Sequence, residues 1–218
     1  MTNTIEISLV QLLVSHLCHE LVSPVGAINN GVELLEEMVP ASGSEEVINL
    51  IGQSGRNGAA KLRCYRLAYG LAGANAGVPG REARAVATEL LASEGRVQLQ
   101  WPDGAVAEEY GPRSVQLVLN LVLLAVEFLP RGGVITVSAE SLGTAETVTV
   151  SAQGAVVKID PRIAAILEGK AETPDHRSVH AAFCHRLAEA AGLPLALIEL
   201  EDGVVLTTQL PLAATAAA

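Results

Sequence analysis

His19 opens the run His19-Glu20-Leu21-Val22-Ser23-Pro24. A neutral imidazole nitrogen is nucleophilic near pH 7 and forms a labile N–P bond, so a histidine is a suitable phosphoryl carrier. Glu20 can hydrogen-bond the other ring nitrogen or accept a proton, which would hold the attacking lone pair outward. Pro24 removes one backbone N–H and crowds the carbonyl of Glu20. An internal helical proline costs about 3 kcal/mol, so a bend one turn after the histidine is expected. Small residues follow, Gly26, Ala27, Asn29, Asn30 and Gly31, leaving room for another protein's helix. Ser23, Ala27, Asn30, Gly31 and Leu34 are the expected partner-binding positions. His16 lies nearly one turn earlier on a similar face but lacks the following glutamate. His176, His180 and His185 have no Cys, Asp or Glu at ligand spacing and read as surface residues. No residue set suggests a metal or cofactor site.

The histidine must stand on a helix to serve a docking partner. Residues 5–38 hold a single proline, and Leu9, Leu12, Leu13, Leu17, Leu21, Val25, Ile28, Val32 and Leu35 recur at three- and four-residue steps. That is the spacing of one helix face. Pro40 to Gly43 breaks the pattern. Ser44 with Glu45 and Glu46 suits a helix start, since the dipole favours acidic side chains there. A second helix is expected to about Leu71, with Val47, Leu50, Ile51, Ser54, Leu62, Tyr65 and Tyr69 inward. Each helix is ~45 Å long at 1.5 Å per residue. Joined by a short turn, they make an antiparallel hairpin. A hairpin cannot bury both flanks alone, so two copies forming a four-helix bundle are expected. Arg56, Lys61, Arg63 and Arg66 on the second helix read as a solvated face, though some could meet a phosphoryl group or an acidic partner.

Gly70–Gly80 is rich in Gly, Ala, Asn and Pro and reads as a domain boundary. Beyond it the pattern predicts helices at 81–93, 112–129, 161–167 and 179–191. Strands are predicted at 97–101, 134–140, 147–152, 195–200 and 204–210, the last two joined around Asp202-Gly203. The mixture lacks regular βαβ alternation, so an α+β sandwich is expected. The domains are residues 1–75, the hairpin, and 80–212, the sandwich. The alanine-rich tail after Leu212 is expected to fray.

Composition limits the partners. The 218 residues carry 14 Lys and Arg against 24 Asp and Glu, a net charge of −10. Nucleic acid and anionic membranes both call for excess cations, so neither is an expected partner. Cys18, Cys64 and Cys184 form no disulfide framework or metal pattern, which fits a reducing cytosol; Cys18 and Cys184 read as small core residues. The longest apolar run, 117–128, is too short to span a bilayer. A cytoplasmic protein is expected.

The His-Glu-x-x-x-Pro core on an amphipathic hairpin resembles the H-box of two-component histidine kinases. The second half resembles their Bergerat-type ATP-binding domain, with departures. Gln116–Ala125 is similar to the N-box helix. Asn120 matches its first asparagine, but Leu124 stands where the Mg²⁺-binding asparagine would be, and an apolar side chain cannot ligate a hard cation. Ala152-Gln153-Gly154 is similar to the Asp-x-Gly box, with alanine in place of the adenine-binding aspartate. Residues 179–192 match the helix after the phosphate loop, where Ser178 and His180 replace glycines and would obstruct a triphosphate. The stretch between Gly154 and Ser178 is short for an ATP lid.

A phosphorylatable hairpin joined to a degenerate kinase-like domain resembles the ChpT-type histidine phosphotransferases along essentially the whole chain. The resemblance implies a phosphorelay intermediate of alphaproteobacterial cell-cycle control. His19 would be the phosphoacceptor, with Glu20 orienting it and Pro24 shaping the helix. It would take a phosphoryl group from the receiver aspartate of a hybrid histidine kinase and pass it to response-regulator receivers. Mg²⁺ would come with the receiver, and no cofactor or ATP-dependent autokinase activity is implied for this chain. Two alternatives stand beside it: an active histidine kinase core, and a non-enzymatic adaptor whose histidine is incidental.

Overall fold

The computed structural model describes residues 7–37, 43–70, 79–104, 112–142, 145–170 and 173–211. The predicted break at Pro40, most of the expected boundary 70–80, and the tail after Leu212 lie outside these residues.

Helix α1 (Ile7–Glu37) and helix α2 (Ser44–Tyr69) pack along each other. α1 runs through Pro24, which is buried against α2; a Cβ on Gly58 would sit 3.5 Å from the proline ring. Further along, Gly31 lets the helices close. A Cβ there would fall 2.5 Å from Cγ1 of Ile51. The sequence stripe is half-buried at Leu9, Leu12, Leu13, Leu17, Leu21, Ile28 and Leu35. Other apolar residues of the hairpin stand open: Val10, Val14, Val25 and Val32 on α1, and Ile48, Leu50 and Leu62 on α2. Leu50, Leu62, Val25 and Val32 were expected inward; within one chain they have no cover.

The rest of the chain adds α3 (Gly80–Glu94), β1 (Val97–Gln100), α4 (Pro112–Glu127), β2 (Gly133–Leu142), β3 (Ala145–Gln153), α5 (Pro161–Leu167), α6 (Val179–Ala191), β4 (Leu195–Leu200) and β5 (Gly203–Pro211). The five strands form one sheet in the order β1-β2-β3-β5-β4. β1 and β2 are parallel, joined through α4; the remaining pairs are antiparallel. β3 shows the period-two alternation of a one-sided sheet. Val148, Val150 and Ala152 are buried, while Thr147, Thr149 and Ser151 between them are half-exposed. The fold is α+β, with helices on one face of a mixed sheet.

α4 explains its own sequence. It packs on β3 and β5, and also on α2, α3 and α6. Leu117, Val118, Leu119, Leu121, Val122, Leu124 and Ala125 are all fully buried. A helix covered on every side can be apolar all round.

α4 also holds the hairpin. The amide of Gln116 donates to the carbonyls of Leu67, Ala68 and Gly70 at 3.0–3.2 Å. The Asn120 amide donates to Ala68 at 2.8 Å. The last carbonyls of a helix have no intrahelical donor, and here two side chains of another helix supply them.

Candidate functional site

Halfway along α1, His19 projects away from the protein with 89 % of its side chain exposed. Glu20, the next residue, turns inward instead. Its Oε2 accepts from Lys61 Nζ at 2.6 Å and from the Tyr65 hydroxyl at 3.4 Å, both on α2. Its Oε1 lies 3.9 Å from Nδ1 of His19. That is beyond hydrogen-bond range, so the direct Glu20–His19 bond expected from sequence is not made in this structure. Burial opposes the charge on Glu20, but the hydrogen bond and charge of Lys61 outweigh it and hold the carboxyl below its usual value. For Lys61, burial again opposes the charge, and Glu20 and Glu94 outweigh it, raising its pKa. Lys61 is thus a paired, half-buried cation rather than part of a solvated face.

His16 points the other way. It is half-buried, and its ring centroid is 6.1 Å from that of His180 on α6. Burial and the neighbouring His180 push its pKa down. Only His19 of the two offers a ring to an approaching protein.

The expected partner-binding positions divide. Ser23, Asn30 and Leu34 are exposed and Ala27 is half-buried. Gly31 is buried against Ile51 and cannot touch a partner. Its small size serves the α1–α2 contact instead. Arg63 pairs with Glu89, and Arg56 and Arg66 are exposed. Cys18 is exposed, contrary to expectation, while Cys184 is buried as expected.

The largest departure from the sequence reading is His180, which is 2 % exposed. Its Nδ1 lies 2.7 Å from Glu127 Oε1, and its Nε2 lies 3.3 Å from Asn120 Oδ1. The Asn120 amide nitrogen already donates to the Ala68 and Gln116 carbonyls, which fixes its oxygen toward His180. Both ring nitrogens therefore face acceptors, and both must carry hydrogen. Burial works against this charge, but the neighbouring Cys184 and the Glu127 carboxylate bonded to the ring outweigh it and raise the pKa of His180. An imidazolium paired with Glu127 is the state the geometry requires. The partners are 53 and 60 residues away in sequence, so no local pattern could reveal them.

Two of the positions that resemble a nucleotide site in sequence lie in the core. Leu124 and Ala152 are fully buried, and Ala152 sits within β3 between Ile135 and Val204. Gly154 is tightly packed, since a Cβ there would meet the Gly132 carbonyl at 2.6 Å. A cavity of about 200 Å³ remains where hairpin and sheet layer meet, lined among others by His16, Glu20, Tyr69, Glu127 and His180. Among the described residues, no cluster of three His, Cys, Asp or Glu could hold a metal ion, and no helix is long and apolar enough to cross a membrane.

An exposed histidine on a helical hairpin, joined to an α+β layer, matches known proteins. The family model described as histidine phosphotransferase C-terminal domain matches residues 80–203. The protein phosphotransferase ChpT of Brucella abortus (strain 2308) is 33% identical over 201 residues, covering 91% of this chain and 93% of that protein. A solved bacterial phosphotransferase structure aligns with a TM-score of 0.81 and 32% identity, over 94% of this chain and 98% of the other. The chain belongs to the ChpT-type histidine phosphotransferase family.

Proposed function

We propose that this protein is a phosphorelay intermediate whose phosphoacceptor is His19. The carrying observation is the contrast between the exposed ring of His19 and the half-buried His16 beside it. Nδ1 of His19 lies on the Glu20 side, so Nε2 is the nitrogen presented for attack. The nitrogen lone pair displaces the phosphoryl group from a receiver aspartate, and the P–O electron pair returns to that carboxylate. Glu20 faces the positive charge that grows on the ring. The reverse step empties His19 onto a second receiver. Donor and acceptor are the receivers of a hybrid histidine kinase and of response regulators, which bring their own Mg²⁺. A place in cell-cycle signalling is part of this proposal, as the resemblance of the sequence to the ChpT-type family implies.

The residues at the nucleotide-site positions support a relay rather than an autokinase, with apolar Leu124 and Ala152 in the core and His180 bonded to Glu127. The open valines of α1 with Ile48, Leu50 and Leu62 of α2 support a homodimer in which two hairpins form a four-helix bundle. The reading divides the chain into a phosphotransfer hairpin, residues 1–75, and a nucleotide-free domain, residues 80–212. The test is label transfer from a ³²P-charged hybrid-kinase receiver to wild-type protein and to His19→Ala, beside a control with labelled ATP alone. The relay predicts label on the wild type only, and none from ATP. Label from ATP would make the chain a kinase core; receiver binding with no transfer would make it an adaptor.

A further inference from the structure

Lys61 leaves α2 opposite the turn of α1 that carries His19. Its side chain is 14 % exposed, and it bridges two carboxylates. One is Glu20 of α1, 2.6 Å away; the other is Glu94 at the end of α3, 3.3 Å away. Arg96 stands 3.7 Å from the second oxygen of Glu94. One oxygen of Glu20 is thus held by Lys61 and Tyr65, and the other is the one nearest Nδ1 of His19, at 3.9 Å.

We infer that Lys61, itself held by Glu94, is a positioning residue for phosphoryl transfer: it fixes the Glu20 carboxylate so that its remaining oxygen stands ready for the Nδ1–H of His19. The inference rests on the reading of His19 as phosphoacceptor. When Nε2 bonds to phosphorus, the bond to the donor aspartate breaks and that carboxylate recovers the electron pair. Nδ1 keeps its proton and the ring becomes positive. A carboxylate already placed on that side stabilises the charge without reorganising as it forms. A small rotation of the exposed imidazole closes the gap. Without Lys61, Glu20 would spread over several rotamers and meet the ring only part of the time. Glu94 belongs to the layer beyond the hairpin, so that layer takes part in shaping the transfer site.

A salt bridge that merely joined hairpin to layer would give the same contacts but different kinetics. Single-turnover labelling of His19 separates the two, using the full-length protein and a ³²P-charged hybrid-kinase receiver as donor. Lys61→Met should lower the maximal transfer rate about tenfold, the worth of a hydrogen bond to a charged group. The half-saturating receiver concentration should not change. Lys61→Arg should restore most of the rate, and Glu94→Gln should slow transfer in the same direction by less. In a Glu20→Gln background, Lys61→Met should have no further effect, because the lysine acts through the glutamate. If Lys61→Met folds poorly, Glu94→Gln carries the test, since it leaves the lysine in place. Wild-type rates in Lys61→Met and Glu94→Gln, or an equal loss with and without Glu20, overturn the inference. Failure of the wild type to take label on His19 is a distinct result, which refutes the acceptor reading itself.

Discussion

The Nε2 of His180 and the Oδ1 of Asn120 face each other at 3.3 Å in the interior, one from α6 and one from α4. In sequence, Asn120 resembles the first asparagine of a kinase N-box. It spans from α6 to the end of α2, because its amide nitrogen caps the Ala68 carbonyl. Asn120 is thus the joint between hairpin and sheet layer.

This joint carries a pH signature. The folded-state pKa of His180 lies above the ordinary 6.5. A group raised on folding contributes fully below its unfolded pKa and loses that contribution as pH rises through the folded value. The difference in urea midpoint between wild type and His180→Gln should therefore shrink as pH is raised from about 6 to about 9. A constant difference would mean that the ring is neutral.

Asn120→Leu should destabilise the fold by about 1–3 kcal/mol, because it leaves a ring N–H of His180 unpaired in the interior, while the Ala68 carbonyl keeps the Gln116 amide. Thermal unfolding measures this. A loss well below 1 kcal/mol would show that water replaces the amide.

Much of this was legible in advance. α5, α6 and β4 begin and end where their sequence patterns do, because Pro161, Gly192 and the turn at Asp202-Gly203 are local signals. What could not be read were pairings between distant segments. His180 has no charged neighbour in sequence that predicts Glu127. Lys61 has the composition of a surface helix around it, yet it meets Glu20 and Glu94 only once three helices are assembled. Gly31 suggested an open surface because small residues admit either a partner or the chain's own second helix, and the sequence does not distinguish them.

The two hairpin glycines should respond in opposite ways. Gly31→Ala forces Ile51 to move, since the added Cβ would lie 2.5 Å from its Cγ1, and should cost about 1–2 kcal/mol. In Gly58→Ala the added Cβ meets Pro24 at an ordinary 3.5 Å, so helix propensity should stabilise by about 0.5–1 kcal/mol. Equal effects in denaturant unfolding would contradict the packing described.

Leu34 is 48 % exposed on α1, three residues beyond Gly31, where a receiver crossing the hairpin below His19 would rest. Leu34→Arg should slow transfer about tenfold by burying an unpaired charge in that interface, with the unfolding midpoint unchanged within about 0.5 kcal/mol. Unaltered transfer rates would move the docking surface elsewhere.

The most direct measurement is the location of the phosphoryl group after transfer. Wild-type protein is mixed with a phosphorylated receiver domain, digested under conditions that preserve phosphohistidine, and mapped by mass spectrometry. The account predicts modification of His19 and an unmodified His16. A phosphoryl group on His16, or on no histidine of α1, would contradict it.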